Sequence, residues 1–343
     1  MDIKKRTDVK NRMIWPDLLK AFGMVSIIAG HTGVPIICSF VQTYHVPLFF
    51  FISGWFYKDR PVSETVRKSA KRNLLPYAFI ILFLFIYNMI RTTICFFAFA
   101  QEPETLSELV GWSGAFVATP THPVKIGMFT IHSVGAAWFL PAFFITQTVF
   151  CLISHTKIRN ILAVLCTASG FGISLFIKLP WHIETALICV AFSCLGKIFR
   201  EKDLIEKMNL WHWLIITAIW LGGIGRNILF HNWCDYASCT FKLYFIGDIL
   251  VSLCGILSLI YILKKLEKFG EKGIIRAIAY YGQNTMIVLA FHTIEGSVID
   301  WNQLFVLGYL AGGALAMFLK YSGSVAAVVL VNKTKHLKKI FTG

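Results

Sequence analysis

A chain of 343 residues that is 56% hydrophobic and 15% charged, with a mean hydropathy of +0.65, carries more apolar surface than a soluble domain keeps out of water. Its net charge of +15 would suit nucleic acid in a soluble protein; here Lys and Arg gather in short patches between apolar runs, so a lipid bilayer replaces nucleic acid as the expected partner. No polar stretch is long enough to fold around its own core, which leaves a single membrane domain over 1–343.

Spanning helices need about 20 mostly apolar residues, and the chain offers such runs at 13–31, 35–57, 74–99, 127–154, 160–178, 182–199, 211–230, 241–263, 276–294 and 303–331. The expected fold is therefore an all-α integral membrane bundle of about ten transmembrane helices. The first run is interrupted by Asp17 and Lys20 and lacks a small-x-small cleavage site, so it reads as a retained span rather than a signal peptide. The second is broken by Pro35 and Pro47, and the last is long enough to tilt or to include an interfacial turn. No internal repeat is visible. Most cysteines sit in apolar runs as small hydrophobes, whereas Cys234 and Cys239 share an outer loop where a disulfide and two free thiols are both open.

Placing the connections on alternating sides tests the count. One side collects Lys4 to Arg12, Lys58 to Arg72, Lys157 and Arg159, Lys197 to Lys207, Lys264 to Arg276 and Lys333 to Lys339, most of the 33 basic residues. The other holds Lys125, Lys178, Arg226 and Lys242 together with Glu102, Glu104, Glu108, Asp235, Glu295 and Asp300. Cytoplasmic loops carry the excess of Lys and Arg, so both termini are expected in the cytoplasm. Trp15, Trp181, Trp211, Trp233 and Trp301 fall near span ends, where interfacial anchors belong.

Charged side chains at mid-bilayer cost roughly 3 kcal/mol, so those within spans must face the bundle interior or water. Asp17, Lys20 and His31 share one stripe of the first span, and eleven residues place His31 roughly 16 Å beyond Lys20 along the helix. Asp17 and Lys20 suit an intrahelical ion pair as well as a binding role. A lone histidine in a span is more often a helix–helix hydrogen-bonding partner than a catalyst. In the second span His45 precedes the Pro47 break, and a broken helix at membrane depth either lines a cavity or is a packing kink. Glu184, Asp248 and His292 are further titratable groups in or near spans.

Taken together, these segments resemble acyltransferase family 3 of membrane proteins, in particular its fucose 4-O-acetylase-like subgroup. The resemblance rests on "RMIWPDLLKAFGMVSIIAGH", "YHVPLFFFISGWFYK", "AWFLPAFF", "IETALICVAFSCLGKIFR" and "YGQNTMIVLAFH", which occur in the family's order over nearly the whole chain. It implies a ten-span enzyme of the bacterial plasma membrane that takes an acyl group, usually acetyl, from cytoplasmic acetyl-CoA and passes it to a hydroxyl of an extracytoplasmic glycan or related envelope acceptor. Acetyl-CoA is then a donor substrate, with no permanent cofactor or metal. The family pairs a basic residue with a histidine eleven positions later, which falls on Lys20 and His31. Lysine offers a point charge where many members have the arginine fork. Lys20, with Arg12, Arg67, Lys71 and Arg72, would hold the anionic end of the donor, while His31 meets the thioester as general base or as acyl carrier. Asp17 would orient Lys20 or Arg12, and His45 would position the acceptor or stabilise the oxyanion.

The rival from another class is a transporter or flippase of a glycan or small solute built on the same polar core. A third reading is a non-catalytic partner of an envelope assembly. Only the enzyme requires CoA binding together with loss of transfer on removal of His31.

Overall fold

The computed structural model describes residues 13–343 except Gly33, 100–104, Tyr244, 270–272 and Gly343. The described chain is helical apart from one hairpin and a lone β-bridge. It runs α1 (Trp15–Gly30), α2 (Pro35–Val41), α3 (His45–Trp55), α4 (Val62–Phe99), α5 (Thr105–Ala118), β1 (Val124–Ile126), β2 (Phe129–Ile131), α6 (Phe139–Ser154), α7 (Arg159–Ser174), α8 (Ile183–Glu201), α9 (Leu204–Lys207), α10 (Leu210–Phe230), α11 (Ile246–Leu266), α12 (Gly273–Gln283), α13 (Thr285–Val298), α14 (Tyr309–Lys333) and α15 (Lys335–Thr342). Among the described residues, seven helical segments are long and apolar enough to cross a membrane: Pro35–Trp55, Val62–Ala98, Gly135–Ser154, Pro180–Glu201, Leu210–Phe230, Ile246–Phe269 and Ala311–Lys333. α1 and α7, each of 16 residues, and the shorter pair α12 and α13 make up the rest of the bundle.

α1 is the central helix and packs on α3, α11, α12, α13 and α14. It begins with Pro16, whose missing N–H costs nothing in a first turn, and Glu267 at the end of α11 accepts from the Ile14 and Trp15 amides at 2.5 and 3.4 Å. Trp15 is buried edge-on against Trp55, with centroids 5.4 Å apart, so it packs between helices instead of anchoring at the interface. A second hub is α8, lying against α3, α6 and α7. Gly54 and Gly196 let α3 and α8 approach to backbone contact, because a Cβ on either would meet a main-chain oxygen of the other helix at 1.9 or 2.1 Å.

Two helical runs are interrupted, each for a local reason. Pro47 would collide with the carbonyl four residues back in a continuous helix, and the chain leaves helical geometry at Gln42–Tyr44, one turn earlier than Pro47 itself. The freed carbonyls are then satisfied: Thr43 Oγ1 donates to Phe40 O at 2.7 Å, and His45 Nδ1 bonds Val41 O at 2.8 Å. The second break falls at Asn284, within the run read as one span at 276–294. Its side chain donates to Tyr280 O at 2.8 Å and accepts from Asn332 at 2.8 Å.

The sequence reading of a span from residue 127 is corrected. Residues 124–131 form a hairpin with Ile126 opposite Phe129, turning at Gly127 with φ 60°, and helix begins only with a 3-10 turn at Gly135–Trp138 that leads into α6. The connection before it contains α5, which Tyr77 ties to α4 by donating to Ala115 O and Phe116 O at 3.2 and 2.9 Å. Glu108 of α5 meets His132 at 3.1 Å. Cys234 and Cys239 are free thiols; Cys234 is buried, and Cys239 Sγ lies 3.0 Å from Thr185 Oγ1.

Candidate functional site

Polar side chains gather at both ends of α1. Near its start Asp17 is buried, pairs with Lys20 at 2.7 Å, and accepts from Gln283 Nε2 at 3.0 Å. A Cβ at Gly282 would lie 1.8 Å from the Asp17 carbonyl oxygen, so glycine is what lets α12 come close enough to deliver Gln283. The intrahelical ion pair therefore forms, and Lys20 remains part-exposed at the edge of a cavity.

That cavity has a volume of about 810 Å³, large enough for a sizeable ligand, and lies among α1, α3, α4, α6, the α12–α13 break and α15. Lys20, Lys58, Arg60, Lys68, Lys71 and Arg72 line it, and among the described residues no Asp or Glu does. Glu64 partners Lys68 at 2.6 Å and Arg60 at 3.9 Å, whereas Lys58, Lys71 and Arg72 have no carboxylate partner among the described residues. Arg72, exposed on α4, opens onto the cavity. A cation so placed gains by receiving an anion. Deeper, Phe49, Phe139, Phe143, Phe150 and Phe341 give an apolar wall, and Gln147 accepts from Ser69 and Asn73 at 2.5 and 3.3 Å. Basic rim, aromatic wall and amides together suit a ligand with phosphates at one end and an uncharged body.

Of the residues assigned to the donor from sequence, Lys20, Lys71 and Arg72 converge on this cavity. Lys68, Lys71 and Arg72 fall at helical spacing on one face of α4. Arg67 is a position out of phase with that face, exposed and outside the wall. Arg12 lies outside the described residues.

At the far end of α1, His31 follows Gly30 as the C-cap, with its side chain exposed and no hydrogen bond to its ring among the described residues. Its ring centroid is 5.1 Å from that of His292 on α13. His292 is buried, with Nδ1 2.8 Å from Glu295 Oε1. Lys320 of α14, also buried, reaches the same oxygen at 3.3 Å, and Trp301 Nε1 donates to Glu295 Oε2. His45 and Lys320 also lie near enough to His31 to act on its charge.

Asp17, read as a catalytic helper, is committed to Lys20 and Gln283 at the opposite end of α1, about 20 Å from His31 along the helix. His45 sits near His31 but spends Nδ1 on the Val41 carbonyl of the helix break. Glu184 and Asp248 accept backbone amides of the chain leading into their own helices, Glu184 from Leu179 at 3.1 Å and Asp248 from Lys242 and Leu243 at 2.6 and 2.7 Å, which ties those connections down. Glu295, Lys320 and Trp301 were not picked out as site residues. A cation in the middle of the last span was the available signal, since Lys320 must find a partner there.

Residues 13–329 match the acyltransferase domain of family 3. The chain belongs to acyltransferase family 3. No curated protein and no solved structure matches it. In this acyltransferase the matched region takes in Lys20 and all the cavity lining but Phe341, the paired histidines, and the Glu295–Lys320 pair, so the polar interior of the bundle belongs to the family domain itself.

Proposed function

We propose that this acyltransferase moves an acetyl group from cytoplasmic acetyl-CoA to a hydroxyl of an extracytoplasmic glycan or related cell-envelope acceptor, in the manner of the fucose 4-O-acetylase-like subgroup. In this reading it is a ten-span protein of a bacterial plasma membrane with both termini inside. The observation that carries the proposal is the cavity beside Lys20, whose basic lining includes three cations without a carboxylate partner among the described residues. CoA phosphates suit that rim, and the pantetheine arm suits the phenylalanine wall behind it.

α1 and α13 lead inward from this cavity. Thr285, Met286 and Ile287 line it, and His292 stands about two turns further along α13, beside His31. His31, exposed and without a hydrogen-bonding partner among the described residues, is the group left free to engage a reacting hydroxyl. It acts as general base while the hydroxyl oxygen attacks the thioester carbon and CoA leaves as the thiol.

Acetyl-CoA should raise the thermal midpoint of the detergent-solubilised protein. His31→Ala should abolish acetylation while leaving that midpoint shift in place. Normal acetylation by the His31→Ala variant would remove His31 from the chemistry. Solute uptake without any response to acetyl-CoA would favour the transporter.

A further inference from the structure

The charged cluster at the far end of α1 has no part in holding the donor, and its geometry points to a second task. We propose that His292 and Glu295 are positioning residues that relay the proton taken up by His31, with Lys320 and Trp301 fixing Glu295 in place. The inference rests on the acyltransferase reading above and deepens it.

Three observations carry it. First, the His31 and His292 rings face one another at 5.1 Å with planes inclined by 51°, and the His31 ring, exposed and unbonded among the described residues, is free to turn one nitrogen toward His292. Second, Glu295 is held as an acceptor by two independent donors, Lys320 at 3.3 Å and the Trp301 indole. An ionised carboxylate only accepts, so the 2.8 Å contact places a hydrogen on His292 Nδ1 and leaves the lone pair on Nε2. Third, the three parts come from separate helices, α13 for His292 and Glu295, α14 for Lys320 and α1 for His31. Burying a histidine, a carboxylate and a lysine together is costly unless each is matched, and all three have nearly vanishing exposure. The arrangement places a carboxylate behind an imidazole whose free nitrogen is available to the group in front, the logic by which a carboxylate orients a catalytic histidine and stabilises its cation.

In the transfer, the acceptor oxygen bonds to the acyl carbon as its proton passes to one nitrogen of His31. The proton on the other His31 nitrogen moves to His292 Nε2, and Glu295 stabilises the resulting cation. The carbon–sulfur bond then breaks, and the same path in reverse delivers a proton to the CoA sulfur. Ester and thiol are the products, and every side chain returns to its starting state.

The test uses inverted vesicles from the source cell, lacking the chromosomal copy and expressing the full chain, so that the native acceptor is present. Acetyl-CoA is added and thiol release followed. His292→Gln is expected to lower kcat about 100-fold or more, with the KM for acetyl-CoA and the thermal shift caused by acetyl-CoA unchanged. Glu295→Gln, close to isosteric, should lower kcat in the same selective way and serves if His292→Gln fails to accumulate. In a His292→Gly variant free imidazole should restore part of the rate, because a diffusible base can replace the missing ring. A kcat within twofold of wild type in either variant overturns the proposal. So does a loss of rate that comes together with loss of the acetyl-CoA thermal shift, which is what three charges serving only to neutralise one another would produce. Wild-type vesicles that release no thiol would instead remove the acyltransferase reading itself.

Discussion

At the scale of single residues, the division of labour follows from which polar groups already have partners. Lys20 is tied to Asp17, Lys68 to Glu64, and His45 to a helix carbonyl, whereas Arg72 stands in the cavity without a carboxylate among the described residues. A hydrogen bond to a charged group contributes about 1.5–3 kcal/mol, so Arg72→Gln should raise the KM for acetyl-CoA about tenfold or more and leave kcat nearly unchanged. Steady-state thiol release measures both, and an unaltered KM would take Arg72 out of the donor site. The thiols of the α10–α11 connection give a separate check. Burial pushes Cys239 up to about 11, so at pH 8 it is a neutral thiol and a poor nucleophile. Alkylation in native membranes should be slow at pH 8 and accelerate as the pH approaches 11. Protein denatured without reductant should take up reagent at both Cys234 and Cys239; uptake at neither would mean they pair. Lys20 and His31 were legible because both lie on one helix, where spacing alone fixes their relation. Glu295 and Trp301 were read as an outer-loop charge and an interfacial anchor, because their contact with Lys320 exists only once α13 and α14 pack together.

Among the elements, the sequence was informative wherever apolar runs were long and uninterrupted, and less so where side chains repair the backbone. The Pro47 break could be anticipated, but its position at Gln42–Tyr44 depends on Thr43 and His45 bonding the freed carbonyls. The Asn284 break carries no proline and depends on Asn332 from α14. α5 was hidden by its 14-residue length and its Glu108, and the hairpin by an apolar run that merges into α6. The close seam of α12 on α1 makes the sharpest prediction at this scale. A methyl group on Gly282 would sit 1.8 Å from the Asp17 carbonyl oxygen, and backbone cannot yield as a flexible side chain does. Gly282→Ala should therefore destabilise the protein by roughly 1–3 kcal/mol and, by moving Gln283 and Lys20, weaken acetyl-CoA binding. Gly296→Ala, where a Cβ meets nothing within 4 Å, is the control. Thermal midpoints with and without acetyl-CoA separate the two, and equal midpoints would show that the seam is not tight. α15 closes the cavity wall through Phe341, which is buried edge-on against Phe79 at 5.5 Å. Removing residues 335–343 should lower affinity for acetyl-CoA while sparing insertion, as read by the same thermal shift.

Over the whole molecule, the basic residues and the cavity address the same side. The segments rich in Lys and Arg include Lys58 to Arg72, which furnish five of the six cavity cations, and the tail after α14, which furnishes Phe341. His31 and His292 stand further along α1 and α13, in the direction of the hairpin and α5, where acidic residues replace basic ones. In the proposed topology, one asymmetry of charge would orient the chain in the bilayer and would also decide from which side an anionic donor can enter. The sidedness can be measured directly. Inverted vesicles, with the cytoplasmic face outward, should consume added acetyl-CoA, whereas sealed right-side-out vesicles should leave it intact until permeabilised. The rate in inverted vesicles should also fall with added salt, because an open basic rim attracts phosphates through a screened field. Consumption by sealed right-side-out vesicles at the inverted rate would place the cavity on the outer face, and the donor route from Lys20 to His31 would then have no entrance.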